Sequence, residues 1–64
     1  MTTQSTFHQK IIKALHDETQ AINLYREMIE MISNERIQKL LREIRDDEKD
    51  HYRKLMILKE QMKR

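Results

Sequence analysis

The chain has 64 residues, 38% of them charged and 38% hydrophobic, with a formal net charge of +2 and no Gly, Pro, Cys or Trp. The lack of cysteine excludes a disulfide framework, a thiolate metal site and a redox dithiol, and nothing approaches the roughly 20 apolar residues of a membrane span. Acids and bases are interleaved, which argues against a nucleic-acid interface; with no basic-then-apolar start there is no signal peptide, so a cytoplasmic protein is expected, with neither nucleic acid nor membrane as partner.

Without helix breakers the predicted elements are all helical. Residues 1–5 are polar and expected to fray. Thr6 with Gln9 reads as a capping box, so a first helix is predicted over about 6–32. Its seam is Ile11, Leu15, Glu18, Ile22, Tyr25, Ile29 and Ile32, in steps of four and three. Ser33-Asn34 is the predicted turn, because Asn tolerates the left-handed conformation and either residue caps a following helix. The second helix is predicted over about 35–63, with Lys59, Lys63 and Arg64 at the negative end of its dipole. Continuing the first seam past Ile32 meets only charged residues, beginning with Arg36, Lys39 and Glu43, whereas the apolar phase restarts at Ile37. One continuous helix is therefore the weaker reading, and residues 1–64 form a single antiparallel helical hairpin. A chain this short buries too little surface to be comfortably stable alone.

The second seam runs Ile37, Leu41, Ile44, Glu48, His51, Leu55, Leu58, Met62, so a carboxylate and an imidazole occupy positions where apolar side chains are expected. Folding the chain at 33–34 brings Glu18 level with the interval between Glu48 and His51, about 22 Å from the turn at 1.5 Å rise per residue. Two hairpins related by a two-fold axis through that level make a four-helix bundle holding four Glu and two His. This is the donor set of carboxylate-bridged dinuclear sites, a Glu from each of two helices and a Glu-x-x-His from each of the others. Four ionised carboxylates need about four positive charges, which two divalent cations supply. Oxygen-rich ligands with one imidazole per metal suit iron or manganese, with zinc a further option.

The segments Ala14-Leu15-His16-Asp17-Glu18-Thr19-Gln20-Ala21-Ile22-Asn23-Leu24-Tyr25 and Ile44-Arg45-Asp46-Asp47-Glu48-Lys49-Asp50-His51 resemble the two half-motifs of the ferritin-like superfamily. The resemblance is greatest to rubrerythrins and encapsulated ferritins, and with one hairpin per chain it points to the latter, which build their dinuclear site across a dimer. It implies a ferroxidase that oxidises Fe(II) to Fe(III) with oxygen or peroxide and carries two iron ions per dimer. Glu18, Glu48 and His51 are then the ligands, with Tyr25 close by. It also implies a homo-oligomer, at least a dimer, with a ring of dimers as a further assembly and an encapsulin shell as a further partner and location. Encapsulated ferritins carry a C-terminal targeting tail; the sequence stops at Arg64, so either such a tail was removed or the chain is not shell cargo. Rubrerythrins usually add a cysteine-ligated iron domain, so a peroxidase cycle here needs an external reductant.

Each residue also has a plainer reading. Tyr25 is as readily a core tyrosine with a bonded hydroxyl as a redox neighbour of the site. Asp47 is placed to accept the second ring N–H of His51 or to be a solvated acid. Asp17, Gln20 and Asp50 either attract cations or form a charged face, and His8 and His16 are expected to be exposed. Met28, Met31 and Met56 with Ile12, Leu40 and Ile57 widen the apolar face beyond one seam. The alternative function is a metal-free dimeric helical-hairpin adaptor for protein–protein interaction.

Overall fold

The computed structural model describes residues 3–62, an all-α antiparallel hairpin of α1 (Thr3–Met31) and α2 (Glu35–Gln61). It is a slender rod of 49 × 17 × 11 Å, the width of two helices by the thickness of one. The helices follow from the lack of Gly and Pro, from many strong helix formers and from an apolar stripe on each that the other partly covers.

The start of α1 departs from expectation. Thr6 lies inside the helix, which already runs at Thr3, so the Thr6–Gln9 capping box is not its beginning. Nothing in this segment breaks a helix, and a local cap signal does not stop propagation once later turns are packed. Ile32 falls outside α1, so the connection is residues 32–34, one residue longer than predicted. Lys63 and Arg64 lie outside the described residues; Lys59 does sit in the last turn of α2.

At the connection, Asn34 is in an extended conformation (φ −74°, ψ 117°) and not left-handed. Its side chain accepts a hydrogen bond from the Ile37 N–H at 3.1 Å, which caps α2. The C-terminal end of α1 is satisfied from across the hairpin: Gln38 Nε2 donates to the Ile32 carbonyl at 2.6 Å and to the Ile29 carbonyl at 3.2 Å. Since no glycine is available for a C-terminal cap, a side chain of α2 takes over those orphan carbonyls. Asn34→Ala and Gln38→Ala should each lower the unfolding free energy by about 1 kcal/mol. Chemical denaturation measures this; a Gln38→Ala chain as stable as the parent would show that the clamp contributes nothing.

Among the described residues only Ile11, Leu15 and Leu41 are buried. The seam predicted to be covered is half-buried or buried along α1 and at Leu41, Glu48, Leu55, Leu58 and Met62 of α2, but it is open at Ile37 and Ile44, each 41% exposed. The reason is geometric, because two helices can cover only one flank of each other's apolar arc. The flank where α2 carries Gln38, Arg45, Tyr52 and Lys59 is closed by those half-buried side chains, spaced by seven residues. The other flank, with Phe7 and Met28 on α1 and Ile37 and Ile44 on α2, faces solvent.

Candidate metal centre

Glu18 sits near the middle of α1, while Glu48 and His51 lie one turn apart on α2. The antiparallel packing brings the three together. His51 Nδ1 is 3.7 Å from Glu18 Oε1 and 3.8 Å from Glu48 Oε2. One donor atom from each residue falls within 4.8 Å of the others. Bonds of about 2.1 Å to one ion separate its donors by about 3 to 4 Å, which the two distances from His51 match. The carboxylate side chains are 21% and 23% exposed, whereas the imidazole, expected on a buried seam, is 54% exposed on the uncovered flank.

Electrostatics give the fit a second test. Glu18 Oε2 is buried without a hydrogen-bond partner, and an orphan carboxylate oxygen carries a desolvation cost that a cation would relieve. The Glu18 pKa is held above the ordinary carboxylate range, first by Glu48, close enough to share a proton with it, then by burial and by the Glu48 charge; His51 acts in the opposite direction. Two carboxylates beside one imidazole form an oxygen-rich donor set, which fits a hard or borderline divalent ion.

The neighbouring acids are otherwise engaged. Asp17 pairs with Lys13 at 3.1 Å. Asp50 accepts from Arg53 at 2.7 Å and lies 3.1 Å from Lys54, and these two cations hold its pKa below the usual range. Both acids therefore belong to a charged helix face and add little pull on cations. Asp47 is exposed; His51 Nδ1 points toward Glu18 and Glu48, and no hydrogen bond joins Asp47 to the other ring nitrogen. The Thr19 hydroxyl, next to Glu18, donates to the Leu15 carbonyl at 3.0 Å. His16 is exposed beside Asp17 at 4.0 Å, and His8 is half-buried near the start of α1. Tyr25 is half-buried two turns beyond Glu18, about 10 Å along the axis, and so stands apart from the cluster. Gln38 escaped the sequence reading because its partners are backbone carbonyls, which leave no trace in residue spacing.

Fold and site together define a helical hairpin with a carboxylate–histidine group of the kind that can hold a cation. The sequence profile of the rubrerythrin family matches residues 4–64. The chain belongs to the rubrerythrin family. Comparison with curated proteins and with solved structures gives no significant match. No helix among the described residues is long and apolar enough to cross a membrane.

Proposed function

We propose that the protein is a di-iron ferroxidase whose dinuclear centre forms where two copies of the hairpin meet. The observation that carries this reading is the buried, partnerless Glu18 Oε2 in a cluster with Glu48 and His51. Family membership supports iron as the metal, and the donor set also accepts manganese or zinc. One chain offers two carboxylates and one imidazole, which is half of the six-residue set of dinuclear carboxylate proteins.

On this reading Fe(II) is the substrate, and two Fe(II) supply the two electrons that reduce oxygen to hydrogen peroxide, or hydrogen peroxide to water. The chain's own residues bind and orient. Glu48, on α2, would hold the metal as the bridging carboxylate, and Glu18, reaching across from α1, would hold it as a terminal or bridging one. His51, the most exposed of the three, is the terminal nitrogen ligand on the side a second copy would cover. Burial of the carboxylates raises the value of every added positive charge, because the local dielectric is below that of water. Tyr25, about 10 Å along α1, is too far from the cluster to ligate.

A second reading has some support in the structure. His51, when protonated, forms an ion pair with both carboxylates without any metal, as a hairpin adaptor would require. Metal content and molar mass with and without chelator separate the two. The ferroxidase reading expects about one iron per chain, a dimer or larger with iron bound, and Fe(III) forming in air faster than in buffer. A chain that binds no iron, and assembles alike in chelator, is the adaptor.

A further inference from the structure

The chain has no Cys, so two-electron oxidation by hydrogen peroxide falls on its thioethers, the softest nucleophiles that remain. Four methionines lie among the described residues, and they differ in access. Met31, the last residue of α1, is 85% exposed. Met56 is 41% and Met28 38% exposed, and Met62 is half-buried.

A side chain left almost wholly in water is not there for its packing. Its exposure is not that of a loose end either, because Gln38 holds the Ile29 and Ile32 carbonyls on both sides of position 31. Met31 is the most exposed member of an open cleft near the connection, which Met28, Ile32, Ile37 and Leu41 complete. It stands about 20 Å along α1 from Glu18, at 1.5 Å per residue. Chemistry at its sulfur therefore leaves the carboxylate–histidine group untouched.

We propose that Met31 is an oxidation site, whose thioether reacts with hydrogen peroxide ahead of the other described methionines and so spares the packed ones. In the step, a sulfur lone pair attacks one peroxide oxygen, and the S–O bond forms as the O–O bond breaks. The departing hydroxide collects the remaining proton and leaves as water. Sulfur loses two electrons and peroxide gains them. Access decides the order, because peroxide has to reach the sulfur and water has to solvate the charge that builds on the leaving oxygen. The product sulfoxide is polar. At Met31 it stands in water, whereas at Met28 it would lie in the apolar cleft with Ile37 and Leu41, and at Met62 on the seam between the helices. Reduction of oxygen by Fe(II), as proposed above, generates peroxide at the chain itself. The inference rests on that reading for the source of the oxidant and not for the site.

The test treats metal-free protein with less than one equivalent of hydrogen peroxide and locates the added oxygen by peptide mass mapping. Met31 should react about twofold or more faster than Met28 or Met56, in line with their exposures. Met31→Leu should pass the same oxidising equivalents to the remaining methionines. Parent protein oxidised at Met31 should keep its melting temperature. Met28 or Met56 reacting as fast as Met31, or a Met31→Leu chain whose other methionines are oxidised no further, overturns the assignment. A melting temperature that falls on Met31 oxidation overturns the sparing role. Fe(II) added in air, with and without catalase, tests the source. Met31 sulfoxide that catalase prevents supports site and source together. A Met31 that reacts with added peroxide but stays reduced during Fe(II) oxidation overturns peroxide as the product and leaves the site standing.

Discussion

Glu48→Ala combined with His51→Ala should abolish iron binding and reduce Fe(II) oxidation to the rate in buffer. The variant removes two of the three donors that converge within 4.8 Å and leaves Glu18 as a lone carboxylate. Loss of a residue that merely positions a ligand costs about 10- to 100-fold in metal affinity, so loss of two ligands should exceed 100-fold. The fold should persist, because neither residue is among the three buried apolar side chains that hold the helices together. His16→Ala is the control: this histidine is exposed beside Asp17, away from the cluster, and its loss should leave oxidation unchanged. Stopped-flow absorbance of Fe(III) with circular dichroism decides the matter. A double variant that is helical and as fast as the parent ends the ferroxidase reading.

The second large effect is a pH response whose sign reverses with metal. The folded-state pKa of Glu18 is raised by Glu48 and by burial. A carboxyl whose pKa is higher folded than unfolded binds its proton more tightly in the native state. Its stabilising contribution is fully present below the unfolded pKa and is lost as pH rises through the folded one. Without metal, the hairpin should therefore gain stability from Glu18 as pH falls from neutral into the range just above the unfolded value. Glu18→Gln should remove that dependence and raise the neutral-pH melting temperature. With a divalent metal, protons compete for the same oxygens, so metal-linked stabilisation should shrink on acidification. At a metal concentration about 100 times the dissociation constant, that stabilisation is about 2.7 kcal/mol. Melting curves from pH 5 to 8, with metal or with chelator, test both signs. A chelated parent that melts lower at pH 5 than at pH 7, with Glu18→Gln following the same curve, would show that Glu18 titration does not govern stability. Asp50 has the opposite disposition: Arg53 and Lys54 depress its pKa, so its contribution is present above the unfolded value and fades as pH falls through the folded one.

The hairpin and the meeting of Glu18, Glu48 and His51 were legible in the sequence for one reason. Both depend on periodicity, and α-helical rise converts residue number into height. Exposure was not legible. Spacing put Ile37, Ile44 and His51 on a seam, and a seam has two flanks; which one the neighbouring helix covers depends on packing angle, which residue types do not encode. The helix start was missed because a capping box states a preference and does not forbid earlier turns. Gln38 was missed because a side chain bonded to carbonyls nine and six residues away looks, in sequence, like any polar helix residue. Asp47 as a partner for His51 failed on direction, since the same spacing fits an acid turned to solvent.

On the shared-site reading one chain contributes half of the donor set, and this has a consequence for how such a centre can change. When two identical copies complete it, every codon for a ligand is spent twice, so the two iron positions are chemical twins. Neither can be given its own potential or its own preferred ion while both are written by the same gene. Mixed assemblies of parent and His51→Ala chains, which lose a terminal ligand at one position only, would break that twinship and let that position be studied beside the other.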